Sequence, residues 1–169
     1  MKKNSIANPE ELFDKTKFAT LIIGKENEDK SNNDSTSDLI DLIVSKDNAD
    51  IKQETYKLLK EANALEFIMA SINKTNDAQI KQRLTAACWE ADIDCSKHLS
   101  YFVDLAIQND FSVAMEAITV VEQMQPPFDK EELEKNISGL AVAIQSHSKE
   151  DKAILLDQLQ QVLHTFMTY

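Results

Sequence analysis

Two glycines and three prolines in 169 residues leave this chain few means of turning sharply. Sandwiches and barrels need a tight turn between each pair of short strands, and such turns draw heavily on those two residues. Helices need little punctuation, so the expected fold class is all-α. Gly24 and Gly139 also stand alone and far apart, which excludes a glycine-rich phosphate loop.

Composition agrees with a packed chain. Hydrophobic residues make up 43% and charged residues 28%, the balance of a globular protein and not of a disordered one. The length suits one ordinary domain, able to bury roughly 70% of its unfolded surface.

The net charge of −11 is unevenly held. Residues 38–169 carry twelve basic and twenty-two acidic side chains, leaving residues 1–37 almost neutral. Such a surface repels phosphate backbones and anionic lipid, so neither nucleic acid nor membrane is an expected partner. Arg83 is the sole arginine, which nearly removes the usual bidentate reader of phosphates and guanines. Met1-Lys2-Lys3 is basic, but Asn4, Asn8, Pro9, Glu10 and Glu11 interrupt any signal-type apolar run. Two cysteines make no disulfide framework, and the cytoplasm is the expected compartment.

Hydropathy divides the chain into three parts. Residues 1–24 form an N-terminal amphipathic segment, with Asn8-Pro9-Glu10-Glu11 as its start signal and Gly24 as its stop. Residues 25–37 contain no apolar side chain and are expected to be a flexible polar linker. From Asp38 onward short segments follow one another, each with apolar residues three and four apart. They are marked by Leu39–Ile43, Ile51–Ala62, Leu65–Ile72, Ile80–Ala91, Leu99–Ala106, Phe111–Val121, Leu133–Ile144 and Leu156–Phe166. The breaks are brief and polar. Asp129 with Glu132 has capping-box spacing, and Pro126-Pro127 is the most emphatic stop.

An internal repeat runs through the middle. Ile51-Lys52-Gln53 recurs as Ile80-Lys81-Gln82, and on that alignment Lys60-Glu61-Ala62-Asn63 falls on Trp89-Glu90-Ala91-Asp92. Phe111 to Ser148 repeats the plan with a longer connection containing the prolines. Paired helices in units of about 30 to 40 residues are the mark of an α-solenoid, because one hairpin cannot cover its own apolar stripe. On these residues, and on Val113…Val120-Val121-Glu122, the stretch 38–168 resembles HEAT and armadillo-type helical repeats. The resemblance implies a superhelix of antiparallel hairpins that binds other proteins, and no shared activity. It further implies that the second helix of each hairpin lines an inner groove, offering Glu66, Lys97, Tyr101, Asp104, Gln108 and Glu134. A compact helical bundle is the alternative arrangement.

Candidate chemistry is sparse. Cys88, Glu90, Asp92, Asp94, Cys95 and His98 crowd into eleven positions, and two thiolates with an imidazole could hold zinc. Six residues separate the cysteines, however, and Cys88 falls on the stripe with Leu84 and Ala91, so a core role is expected there and no metal. Asp92-Ile93-Asp94 lacks the glycine and closing glutamate of a calcium loop. His98, His147 and His164 have no nucleophile motif beside them. No catalytic or cofactor-binding residue is assigned. Trp89 lies at the edge of its stripe, like Tyr101 and Met115, where core and interface roles are both open. Exposed beside Glu90, Asp92 and Asp94, it would anchor an acid-rimmed patch for a basic protein.

The expected function is therefore a non-catalytic interaction module or scaffold with a basic protein partner. Two other readings stay open: an inhibitor or immunity-type protein masking a nucleic-acid enzyme, and an enzyme or metal-binding protein using the Cys88–His98 region.

Overall fold

The computed structural model describes residues 28–45, 51–147 and 151–169, with side chains from residue 35 onward. The amphipathic segment expected over 1–24 lies outside the described residues. Eight α-helices are formed among them, and no strand. In chain order they are α1 (Glu28–Ser45), α2 (Gln53–Glu61), α3 (Leu65–Lys74), α4 (Ala78–Glu90), α5 (Leu99–Gln108), α6 (Phe111–Glu122), α7 (Lys130–Ser146) and α8 (Asp151–Phe166). A short 3-10 turn at Ser96–His98 leads into α5.

Each apolar segment expected from Asp38 onward corresponds to one of these helices. The starts follow from side-chain chemistry. Asp77 accepts from the backbone N–H groups of Gln79 and Ile80, Asp110 from that of Val113, and Asp129 from that of Glu132. Each carboxylate satisfies donors that the first helical turn leaves unpaired. The stripes bury as expected, with Leu59, Ile68, Leu84, Leu99, Val113, Leu140 and Leu159 fully enclosed. Two positions depart from the pattern. Ala62 is exposed at the end of α2, and Phe111 is 44% exposed because it is the first residue of α6 and points past its neighbours.

The expected linker is a further departure. Helix α1 begins at Glu28, inside the stretch read as flexible, and Thr36 is buried. Extending a helix that is already nucleated adds one hydrogen bond per residue, so polar turns can continue an amphipathic segment without a core of their own.

The helices pack as neighbours in sequence. Helices α5 and α6 lie together, as do α7 and α8, while α4, α6 and α8 contact one another in series. Helix α7 packs beside α5, and α1 covers α2, α3 and α4. One continuous core runs through the array, from Leu39 to Leu163. The outward side of α8 is polar, with Asp157, Gln158, Gln161 and His164 exposed, apart from Ile154. No described helix is long and apolar enough to cross a membrane.

Candidate interaction surface

Helices α2 and α4 end in the same way, 29 positions apart in the chain. After α2 the N–H of Ala62 bonds to the Leu58 carbonyl, Asn63 to Lys60 and Ala64 to Leu59, at 2.9, 3.0 and 3.1 Å. After α4 the N–H of Ala91 bonds to Ala87, Asp92 to Trp89 and Ile93 to Cys88, each at 3.0 Å. Asn63 and Asp92 both have φ of 50°. This is a Schellman-type stop built without glycine, using the two residue types that best tolerate the left-handed region. The repeated letters Glu-Ala-Asn and Glu-Ala-Asp thus correspond to one backbone structure formed twice.

The ends of α2, α4 and α6 meet along one rim. A hollow of about 530 Å³ is bordered there by Asn63, Asp92 and Gln123, one from just beyond each helix. Trp89, Ile93, Val120 and Met124 give it an apolar wall, and Asp94 and Cys95 face it from the following loop. A shallower hollow of about 650 Å³ adjoins it, sharing Trp89, Asp92, Gln123 and Gln125 and adding Gln53 and Glu90. The Gln125 N–H bonds to Ser96 Oγ at 3.0 Å, tying the two loops of the rim together. Three helices presenting their carboxyl ends to one place also concentrate the negative ends of their dipoles.

Trp89 packs at the edge of the core. It is half-buried against the core, and its indole N–H donates to Glu116 Oε2 at 2.9 Å. Glu116, buried on α6, also accepts from Gln82 Nε2 at 3.2 Å. The remaining surface of the indole lines both hollows. Glu90 is half-buried and stands near the Tyr56 phenol. Burial first, and then Glu90, push that phenol far above its ordinary pKa. Asp92 is exposed and pairs with Lys60 of α2. Asp94 is exposed, and hydrogen bonding from Ser96, above all its backbone N–H at 3.0 Å, holds its carboxyl below the usual range.

The other candidates lie on a second surface, along α3, α5 and α7. Tyr101 is half-buried, edge-on to Phe102 with ring centroids 5.2 Å apart. Its hydroxyl donates to the Met69 carbonyl and Asn73 Oδ1 at 3.4 and 3.2 Å, and burial, with a smaller effect from Cys88, pushes its pKa up to about 12. Asp104 and Gln108 are exposed one turn apart on α5, and Lys97 is exposed just before it. Glu66 faces His98 Nε2 at 3.4 Å, and Glu134 faces Lys130 at 3.8 Å. Trp89, Glu90, Asp92 and Asp94 are therefore brought together, while Tyr101, Asp104 and Gln108 are held apart from them.

The crowded Cys88–His98 segment is drawn apart. Cys88 and Cys95 are free and buried, and the Cys88 thiol donates to the Leu84 carbonyl at 3.7 Å. The neighbouring Cys95 thiol, followed by burial, pushes the Cys88 thiol well up, which keeps it protonated and a weak nucleophile. His98 turns instead toward Glu66 on α3. Among the described residues no three of His, Cys, Asp and Glu converge as a metal site.

Several residues of the rim were not singled out from sequence. Glu116 was the most legible, as the lone acid inside the apolar run Val113–Val121. Lys60 and Gln123 carry no such signal, since they matter only through the helix ends that meet beside Trp89.

No protein-family model matches the chain, and no curated protein or solved structure matches it either.

Proposed function

We propose that this chain is a non-catalytic protein-interaction module, a short α-solenoid of HEAT- or armadillo-like hairpins whose acidic surface takes a basic protein partner. The observation that carries the reading is the recurrence of one helix ending at Asn63 and Asp92, on the repeated sequence that precedes each of them. A recurring unit stacked on its neighbours makes an extended surface, and such surfaces serve recognition more often than chemistry. Bonds between successive units support the same arrangement. Trp89 to Glu116, Ser100 to Glu132 and Gln158 to Glu122 each join positions about one unit apart. The mostly polar outward side of α8 fits a capped end to the stack. Two reduced, buried thiols fit the cytoplasm.

The acid excess of residues 38–169 sets the sign of the partner. Long-range attraction between exposed charges is screened by salt. Affinity capture on the full chain, washed from about 0.05 to 0.5 M salt, is expected to release a partner of high pI across that range. A specific partner that is acidic, or that stays bound irrespective of salt, overturns the proposal.

A further inference from the structure

We infer that the rim formed by the ends of α2, α4 and α6 is the docking site, and that its occupant is an extended lysine- or arginine-bearing segment of the partner. The inference rests on the basic-partner reading and adds the place and the form of the ligand.

Four features at this rim converge on such a segment. The wall of Trp89, Ile93, Val120 and Met124 offers apolar surface for the aliphatic stem of a lysine or arginine. The indole face can add attraction for the cation itself. Asp92, Asp94 and Glu90 stand where the charged heads would emerge, beside three carboxyl-terminal helix ends. Gln123 and Gln125, both exposed, supply amide groups able to bond a peptide backbone.

A fifth feature is supplied by the chain itself. Lys60 reaches from α2 to Asp92 across 32 residues, and its ammonium occupies the acidic edge of the hollow. The rim therefore already receives one basic side chain on a long apolar stem. Both partners of that pair are more than half exposed, so a cation from outside can displace it at little cost. On the second surface Glu66 faces His98 and Glu134 faces Lys130.

Trp89 is the only tryptophan, so its emission reports occupancy of the rim without a label. The experiment titrates an octalysine peptide into the full chain at low salt and follows that emission. It is repeated with Asp92→Asn/Asp94→Asn, with the control pair Asp104→Asn/Glu134→Gln, and with Lys60→Met. Asparagine keeps the left-handed backbone at position 92 and an acceptor for the Ser96 N–H at position 94, so the rim variant keeps its fold. Saturable binding is expected, weakened about five- to tenfold in the rim variant and less than twofold in the control. Lys60→Met is expected to tighten it by about twofold or more, since Asp92 loses its internal cation. Equal weakening in both acid variants, or binding seen by calorimetry with no change in Trp89 emission, overturns the rim site while leaving a basic partner standing. No binding of octalysine by either readout overturns the basic-partner reading and the rim site together.

Discussion

The indole of Trp89 and the carboxylate of Glu116 are joined at 2.9 Å across α4 and α6, 27 residues apart in the chain. One hydrogen bond thus fixes the tilt of the side chain that walls the rim. Glu116 is buried and also holds Gln82, so its removal leaves two donors without their acceptor. Glu116→Ala is expected to destabilise the fold by about 2–3 kcal/mol, and Glu116→Gln by less, because the amide oxygen keeps one bond. Urea unfolding followed by circular dichroism measures both. A loss equal in the two variants would assign the effect to charge and not to the unsatisfied donors.

Asn63 and Asp92 test the shared helix ending. A β-branched residue is poorly tolerated at φ of 50°, so Asn63→Val and Asp92→Val are each expected to cost about 1–2 kcal/mol. Glycine at either place is expected to be near neutral. Parallel unfolding curves for the four variants decide this, and a tolerated valine at one position would mean that the two endings are not equivalent.

Lys152 is buried on α8, and its ammonium donates to the carbonyls of Ile107, at 2.6 Å, and Asn109, at the end of α5. The positive group sits where the dipole of α5 is negative. Lys152→Met is expected to cost about 2–3 kcal/mol through the orphaned carbonyls, with partial rescue by Lys152→Arg. Thermal melts of the three proteins would show it, and an unchanged melting temperature in Lys152→Met would remove the capping role.

Alkaline pH supplies a further test. Burial raises the phenols of Tyr56 and Tyr101 above their ordinary value near 10, that of Tyr101 to about 12. Between these values the unfolded chain releases protons that the folded chain retains, so stability is full below about pH 10 and falls as pH rises toward 12. The midpoint of urea unfolding is expected to drop across that window, and less steeply in Tyr56→Phe or Tyr101→Phe. A flat profile in the parent protein would contradict burial of both rings.

Much of this architecture was legible in the sequence for a plain reason. The apolar stripes of α2 to α8 recur at helical spacing, and Asp77, Asp110 and Asp129 are local starts that need no distant partner. Position 28 onward was misread because polar residues say what a segment cannot bury alone, and nothing about a helix that continues into it. Glu132 shows the same limit within a motif. Its N–H bonds to Asp129 as the capping spacing requires, but its carboxylate leaves the helix start and accepts from Ser100 Oγ at 2.7 Å. Ser100 also accepts from Asn136 Nδ2 at 2.9 Å, so a neighbouring hairpin outcompetes the local partner. The acids beside Trp89 were likewise readable as a cluster from their adjacency in sequence. Lys60 and Gln123 were not, because only the fold brings the ends of α2 and α6 beside that of α4.

The side-chain bonds between helices described here join residues 27 to 45 positions apart. Such bonds tie helices to others roughly one hairpin away in the chain. Helix α2 packs chiefly on α1, whereas α7 packs on both α5 and α8, so native-state hydrogen exchange is expected to register weaker protection in α2 than in α7. A partner seated on the rim would touch the ends of α2, α4 and α6 together, and is expected to raise protection in all three at once.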